Sequence, residues 1–220
     1  MADLLPLGPD ELLTTTRAVR RRLDLSRPVP RELVEDCIEV AIQAPTGSNL
    51  QGWQWVVVDD PEKRRGLADL YGPSFDAYAR SGGGGGGVRY EREDPRAQRG
   101  ASVAKSAVYL RQHLHEVPVL VVPCIEGRPP TDGGALAQAG LWGSILPAVW
   151  SFMLAARARG LGTAWTTLHL RSEHEAAQLL GIDDSRYTQA GLIPVAYSVG
   201  TDFKPAARVD WRKLVHWNTW

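Results

Sequence analysis

The sequence predicts a helix-rich α+β fold in one domain, with a central sheet of about four or five strands flanked by helices. Segments with apolar residues at helical spacing alternate along the chain with short runs of valine, leucine, isoleucine and tryptophan that are typical of strands. The chain has 220 residues, of which 44% are hydrophobic, enough to build one substantial core. We find no internal repeat.

The first half begins with a helix in residues 11–25 that runs into a basic turn. Residues 31–44 carry apolar side chains at helical spacing, and Pro45 ends that pattern. The sequence WQWVVV, residues 53–58, predicts a strand, and residues 61–71 predict a short helix.

Residues 72–116 differ from the rest of the chain. They contain six consecutive glycines, followed by mixed charges and little apolar content. A glycine run resists ordering because its backbone loses much conformational entropy on folding. We therefore expect a mobile loop that interrupts the domain, with a helical pattern resuming at residues 102–113.

The second half alternates strands and helices again. Ser172, with Glu175 three residues later, predicts a capping box at the start of a helix. Residues 203–220 contain three tryptophans, too many for a solvated tail. The predicted elements are strand 117–125, helix 135–159, strand 163–170, helix 172–182 and strand 191–200.

Composition excludes several classes of function. Lys plus Arg and Asp plus Glu each number 25, so the net charge does not indicate nucleic acid or an acidic membrane as a partner. Cys37 and Cys124 form neither a disulfide framework nor a metal-ligand cluster. We find no signal peptide and no uninterrupted apolar run near the ~20 residues that span a bilayer. A reduced, cytoplasmic location is the expectation.

Two short segments are candidates for a binding site. The sequence RAVRRR, residues 17–22, offers planar donors that suit a single phosphate, although a solvated basic helix end has the same composition. The sequence TGSN, residues 46–49, offers hydroxyls, an amide and a glycine that lets a ligand approach the backbone. An ordinary turn after a helix is the alternative.

Other patterns are weaker. The sequence GLGTAW lacks the third glycine of a dinucleotide fingerprint and precedes a strand, so we reject a Rossmann fold. His113 and His115 have no partner at metal-ligand spacing, so no metal is expected. Cys37 lies on an apolar helix face, which indicates a core residue. No Ser/His/Asp constellation stands out.

Taken together, the segments resemble the FMN-dependent nitroreductase family. The resemblance covers nearly the whole chain apart from about residues 72–116. It is carried by residues 15–67 and, near the end, by ARGLGTAW, LLGID, LIPVAYSVG and a late Arg208. It implies a mostly antiparallel sheet, a homodimer with FMN at its interface, and a domain-swapped C-terminal extension. Two departures stand out: Ala18 replaces a usual serine and Gly52 a usual proline before Trp53.

The resemblance also implies which residues bind FMN. Arg17, Arg20 and Arg21 would hold the phosphate and the polar edge of the ring, and Arg208, with Lys204 as a weaker candidate, would complete the phosphate site. Residues 165–167 match a segment whose backbone reaches the N5 side of the ring. The full implied set is Arg17, Ala18, Val19, Arg20, Arg21, Pro45, Thr46, Gly47, Ser48, Asn49, Trp165, Thr166, Thr167, Lys204 and Arg208.

The implied reaction is a ping-pong hydride transfer from NAD(P)H through FMN to a small oxidised acceptor such as a nitroaromatic, a quinone or an activated alkene. The flavin carries the chemistry, so no catalytic side chain is expected. Alternatives are a flavin-dependent dehalogenase or substrate dehydrogenase of the same fold, and a flavin-binding protein without turnover.

The apolar helix 135–159 and the tryptophan-rich end are expected at a homodimer interface. Residues 72–116 lie where the family inserts a segment over the open face of the flavin. We expect a lid there that selects the acceptor, and a simple insertion is the alternative. The lid would present the aromatic residues Tyr71, Phe75, Tyr78 and Tyr90, together with Arg89, Arg92, Arg96 and Arg99.

Overall fold

The computed structural model describes residues 4–82, 90–129 and 134–220. Within these ranges the chain forms six α-helices and five strands. The helices are α1 (Pro9–Thr15), α2 (Arg31–Ala41), α3 (Pro61–Arg80), α4 (Pro95–His113), α5 (Ala135–Ala158) and α6 (Glu173–Leu180). The strands are β1 (Trp53–Val58), β2 (Val119–Glu126), β3 (Leu161–Thr163), β4 (Tyr187–Gln189) and β5 (Ile193–Tyr197).

The strands form one antiparallel sheet in the order β1-β2-β5-β3, with β4 paired to the C-terminal end of β2. The pairing of β1 with β2 runs from Trp53 opposite Ile125 to Val58 opposite Leu120. The predicted α+β class and the antiparallel sheet of four or five strands are therefore confirmed. Strand β4 was not predicted, because three residues carry too short a pattern to recognise.

Strand β2 separates two hydrophobic cores. Val121 and Ile125 belong to the core that α2 and α5 cover. Leu120, Val122 and Cys124 point to the other face, which α3 and α6 cover. Side chains alternate along a strand, so a strand covered on both faces reads as a continuous apolar run. This explains the run of valines and leucines in β2.

Helix α5 is the longest described helix. By length and composition it could cross a membrane, the only helix in the described ranges that could, and 44% of its most apolar window is buried. Ile145, Val149 and Phe152 pack in the core beside α2. A core helix meets the same criteria as a membrane span, and these contacts match a core helix.

Within residues 72–116, the helical pattern expected at residues 102–113 is confirmed as part of α4, but the mobile loop expected before it is wrong for residues 72–80 and 95–101, which are helical. Helix α3 continues through Pro73 to Arg80, and α4 occupies Pro95–His113. Tyr71 and Phe75 are buried on α3, so tertiary packing extends the helix beyond its sequence pattern. Most of the glycine run, residues 83–87, lies outside the described residues.

The predicted strand at residues 163–170 is also wrong. Strand β3 ends at Thr163, Thr166 forms an isolated bridge with Leu192, and a 3-10 helix covers Leu168–Ser172. β-propensity depends strongly on context, and here the chain turns towards α6. Ser172 forms no capping hydrogen bond, because it ends that 3-10 helix instead of lying extended.

The C-terminal tryptophans do not enter the core of the chain. Trp211, Trp217 and Trp220 are 61%, 84% and 102% exposed. The expectation that they avoid solvent is therefore not met within one chain. The domain-swapped extension stays a prediction.

Candidate functional site

A cavity of about 560 Å³ lies between the segment after α1, the N-terminal half of α4 and the segment after β5. We call it the arginine cavity. Arg17, Ala18, Arg20 and Arg208, all predicted to bind the cofactor, line it together. Its other lining residues are Pro95, Arg96, Arg99, Gly100, Ser102, Val103, Ser106, Ala206, Ala207 and Val209.

Strand β3 positions the first of these segments through its backbone. The N–H of Val19 donates to the carbonyl of Thr163 at 2.7 Å, and Ala18 forms a β-bridge with the same residue. The side chain of Val19 is buried against Gly162, where an added Cβ would lie 2.8 Å from Val19 Cγ1. Side chains alternate along extended backbone, so Ala18 and Arg20 face the cavity.

Of the arginines that line this cavity, Arg96 is paired with the carboxylate of Asp94. None of the described residues that line it is acidic. Burial lowers the pKa of Arg17, and the nearby charges of Arg208 and Arg99 lower it further. An anion would relieve this repulsion, and arginine binds phosphate through a planar fork of donors. The cavity is therefore suited to a phosphate group.

Arg20 joins the cavity to helices α3 and α4. Its Nη1 donates to Ser106 Oγ at 3.4 Å. Burial lowers the pKa of Arg20, and Tyr71 and Tyr78 of α3 oppose the shift. Burial likewise raises the pKa of Tyr71, against the effects of the Thr166 hydroxyl and Arg20. Tyr71 and Tyr78 therefore lie near the guanidinium of Arg20, although neither tyrosine lines the cavity.

The loop at residues 46–49 has an unusual backbone. Ser48, Asn49 and, just beyond the loop, Gln51 have φ angles of 51°, 55° and 50°. Asparagine tolerates this left-handed region, but it is uncommon for serine and glutamine. Such strain is of order 1–3 kcal/mol for each residue and is often found at functional sites. The strain supports a role for this loop beyond a simple turn.

The same loop lies beside a second cavity of about 560 Å³. The N–H of Gly47 donates to Ser144 Oγ at 3.1 Å, and Trp53 Nε1 donates to the carbonyl of Ser144 at 2.7 Å. The loop is therefore anchored on helix α5, and none of its residues lines the arginine cavity, so the predicted cofactor residues form two groups within one chain. Thr46, Leu50, Gly52, Ile125, Glu126, Arg128, Ala137, Gly140, Leu141 and Ser144 line the second cavity.

Residues 165–167 follow β3. Trp165 lies over Gly191, and its Nε1 donates to the carbonyl of Ala190 at 3.2 Å. The N–H of Thr166 is already paired with Leu192. Of the three predicted residues, Trp165 and Thr167 are therefore the ones whose backbone N–H groups could serve a ligand.

Three predicted cofactor residues have other positions. Val19 is a core residue, and Arg21 is exposed and does not line the arginine cavity. The side chain of Lys204 is exposed, while its carbonyl accepts a hydrogen bond from Arg17. Alternation along the extended part of the segment after α1 explains the position of Val19, whereas Arg21 lies in the turn that follows Arg20.

The aromatic residues predicted for the lid also differ in their positions: two are buried in the core and two are not. Tyr71 and Phe75 belong to α3 and are only 3% and 6% exposed. They are therefore core residues and not lid residues. Tyr78 is half-buried beside Arg20. Tyr90 is 39% exposed and lies against the guanidinium of Arg96.

Neither a metal-ligand cluster nor an exposed thiol is found in the part of the chain that the structure describes. The described residues contain no group of three or more His, Cys, Asp or Glu side chains that could hold a metal ion. His113 pairs with Glu116 at 2.8 Å. Cys37 and Cys124 are buried, and burial raises both pKa values to about 12, which keeps the thiols protonated and unreactive.

Some site residues were not predicted. Ser102 and Ser106 of α4 line the arginine cavity, and Ser144 anchors the loop at 46–49. Arg99 and Ser106 are seven residues apart, which places both on one face of a helix. That spacing could have indicated a helical face if residues 95–101 had not been assigned to a loop.

Similar proteins were found among curated sequences. A 5,6-dimethylbenzimidazole synthase from Rhodospirillum rubrum is 32% identical over 169 residues, which cover 73% of this chain and 69% of the relative. Iodotyrosine deiodinase 1 from Rattus norvegicus is 35% identical over 60 residues, which cover 27% of this chain. That second match spans only 20% of the relative's length.

Solved structures share the fold across nearly the whole chain. An iodotyrosine deiodinase bound to FMN and 3-iodo-L-tyrosine has a TM-score of 0.69 and 22% identity, and covers 94% of this chain and 98% of that one. An FMN and NADPH-dependent nitroreductase from sphigopyxis sp. strain HMH has a TM-score of 0.65 and 21% identity, covering 97% and 100%. Residues 13–197 match the model of the Nitroreductase family. The chain therefore belongs to the nitroreductase family.

Proposed function

We propose that the protein binds FMN and acts as an oxidoreductase that passes reducing equivalents from NAD(P)H to a small oxidised acceptor. The arginine cavity carries this proposal. Arg17 and Arg20, from the segment after α1, meet Arg208 from the C-terminal segment there, and none of the described lining residues is a carboxylate. Arginines that are not paired with carboxylates can bind the phosphate of an ester through charge-assisted hydrogen bonds.

The residues present fit the cofactor. Arg17 and Arg208 would hold its phosphate, and Arg20, half-buried beside Tyr71 and Tyr78, would place a fixed positive charge deeper in the site. When bound, FMN supplies the hydride chemistry, which explains why no nucleophilic side chain is needed. Trp165, held by the carbonyl of Ala190, would form a wall that excludes water.

A homodimer would complete the site. The loop at 46–49 is anchored on Ser144, and none of its residues lines the arginine cavity of its own chain. We propose that each chain contributes this loop to the cofactor held by the arginines of its partner. Supporting this, apolar side chains of α5 and of the end of α2 with the residue after it are exposed: Val40, Ile42, Leu136, Leu146 and Trp150.

An apolar groove of about 610 Å³ extends this surface. Leu4, Val40, Pro45 and Pro147 line it, among others. Contiguous exposed apolar surface marks interaction sites in soluble proteins. The exposed tryptophans of the C-terminal segment would contribute to the same interface, as a segment that wraps the partner.

A dehalogenase is the second candidate, because iodotyrosine deiodinases occur among both the curated relatives and the solved structures. It uses the same cofactor site, so the acceptor alone separates it from a nitroreductase. Nitroaromatic, quinone and iodotyrosine acceptors should therefore be compared under identical conditions.

The absorption spectrum of the purified protein tests the proposal. We expect a yellow protein, or one that becomes yellow with added FMN, and bleaching by NADH or NADPH in the absence of oxygen. Colour should return on addition of a reducible acceptor. A protein that binds no flavin would contradict the proposal, and bound flavin that neither donor reduces would favour a binding protein without turnover.

A further inference from the structure

Three positive charges meet in the arginine cavity from three separate segments. Arg17 follows α1, Arg99 belongs to α4 and Arg208 follows β5. The proximity of the other two contributes to the lowered pKa of Arg17. The resemblance to the family implies a phosphate role for Arg17 and Arg208, whereas Arg99 belongs to the expected lid.

Arg96, one turn earlier on α4, differs from Arg99. Its guanidinium forms two hydrogen bonds with Asp94, at 2.9 and 2.6 Å, and covers the ring of Tyr90. Its charge is therefore balanced locally. Arg99 has no such carboxylate among the described lining residues, and it faces two further arginines.

The N-terminal half of α4 has little packing to hold it in place. Leu110, near the other end, is the only buried residue of the helix. Residues 96–105 are exposed, including Val103 at 53%. Apart from the 3.4 Å hydrogen bond from Arg20 to Ser106, little fastens this half to the arginine cavity. Surface loosely packed in this way opens at low free-energy cost.

We propose that Arg99 binds the phosphate of the flavin together with Arg17 and Arg208, so that the phosphate fastens the N-terminal half of α4 over the cofactor. The inference rests on the proposed function, because it assigns a further ligand and a positioning effect to the same site. A phosphate dianion accepts several charge-assisted hydrogen bonds at once, which allows it to link three segments that repel one another without it.

The proposal separates two effects of the cofactor. Riboflavin has the ring and the ribityl chain of FMN but no phosphate, so it should occupy the site without fastening α4. FMN should both bind more tightly and protect the backbone amides of residues 96–106 from hydrogen exchange. The phosphates of the nicotinamide donor are a different source of the same chemistry, and they should not depend on Arg99.

The test uses the full-length protein, stripped of flavin, in four forms: wild type, Arg99→Ala, Arg99→Lys and the control Arg92→Ala. Arg92 is exposed on the same segment and does not line the arginine cavity. Flavin fluorescence measures the affinity for FMN and for riboflavin, hydrogen exchange measures protection of residues 96–106, and steady-state kinetics give the KM for NADPH.

We expect Arg99→Ala to lose about tenfold in FMN affinity, with riboflavin affinity unchanged, since a hydrogen bond to a charged group contributes on that order. Arg99→Lys should recover part of the loss, and Arg92→Ala should match wild type. FMN should protect α4 in wild type and no longer in Arg99→Ala.

Equal FMN affinity and equal protection in wild type and Arg99→Ala would overturn the role of Arg99 while leaving FMN binding intact. A raised KM for NADPH with unchanged FMN affinity would also overturn it, because the donor would then be the anion concerned. Wild-type protein that binds no FMN would instead overturn the proposed function itself.

Discussion

The backbone N–H of Gly47 donates to the hydroxyl of Ser144 at 3.1 Å, which fixes the loop at 46–49 to helix α5. The hydroxyl of Ser144 also donates to the carbonyl of Gly140 at 2.8 Å, so its lone pairs point towards the loop. One side chain therefore sets the position of a strained loop that the proposed dimer presents to the partner's cofactor.

Replacing this hydroxyl should loosen the loop. Ser144→Ala leaves the N–H of Gly47 without its partner, and we expect a loss of about 1 kcal/mol in the free energy of unfolding. FMN affinity should fall as well, because the loop would sample other conformations. Denaturant unfolding and flavin fluorescence measure the two effects. Ser151→Ala, on the same helix, is the control, and equal behaviour of the two variants would show that the hydroxyl has no such role.

Gly162 should be intolerant of a side chain. A Cβ there would lie 2.8 Å from Val19 Cγ1 and 3.1 Å from Leu23 Cδ2. We expect Gly162→Ala to destabilise the protein by about 1–3 kcal/mol, as overpacking does. It should also weaken FMN binding, because the segment carrying Arg17 and Arg20 would be displaced.

Gly8→Ala provides the matched control for this substitution, because nothing lies within 4 Å of its added Cβ. The melting temperature and the FMN affinity of both variants should be measured. A Gly162→Ala protein as stable as Gly8→Ala would contradict the close packing between β3 and the segment that carries Arg17 and Arg20.

His169 should make stability depend on pH. Burial lowers its pKa from 6.5 to about 4, against the opposing effects of Gln189 and Glu173. Between these two values the unfolded chain binds a proton that the folded protein does not, so stability falls as the pH is lowered from 6.5 to about 4. The full effect is on the order of 3 kcal/mol.

His169→Gln should flatten the stability profile across this range, as measured by denaturant unfolding at several pH values. His174→Gln is the control. The pKa of His174 is raised by Asp184, so its contribution is already complete below 6.5 and is lost only at higher pH. Identical slopes for wild type and His169→Gln would contradict the assignment.

Much of the fold could be predicted because its strongest patterns are local. Strand β1 has the predicted bounds, and the ends of β2 and α5 were predicted within a few residues. Each of these elements carries a long, uninterrupted pattern of hydrophobic residues. Helix α4 was predicted only from residue 102, seven residues after it begins at Pro95. Its exposed, charged surface shows little amphipathic pattern, and only Leu110 is buried.

The sequence predicted which arginines form the candidate site, but not how the other site residues are arranged around them. Arg17, Arg20 and Arg208 do share a cavity, as the resemblance implied. Tyr71 and Phe75 were assigned to a lid because the sequence pattern predicts that the helix ends at Tyr71, whereas α3 continues to Arg80. The contact between Gly47 and Ser144 joins residues 97 positions apart, and such a pairing follows from packing alone.

A shared site predicts that two defective proteins repair one another. Arg17→Ala/Arg208→Ala lacks the phosphate ligands, and Thr46→Trp blocks the loop. Because a two-fold dimer would place these changes at opposite halves of each site, a mixed dimer should have one intact site and one carrying all the changes.

Refolding the two variants together at equal concentration should therefore restore about a quarter of the wild-type FMN sites. Each variant refolded alone provides the baseline. A mixture that binds no more FMN than the sum of its parts would show that the loop and the arginines do not share a site between chains.

The central claim is that the arginine cavity holds the phosphate of FMN. Titration of flavin-free protein with FMN and riboflavin, followed by flavin fluorescence, tests it most directly in wild type and in Arg17→Ala/Arg208→Ala. We predict that wild type prefers FMN over riboflavin by at least about a hundredfold, and that the variant, folded by circular dichroism, loses most of this preference and keeps only the part that Arg99 contributes. Unchanged preference for FMN in the folded variant would contradict the claim.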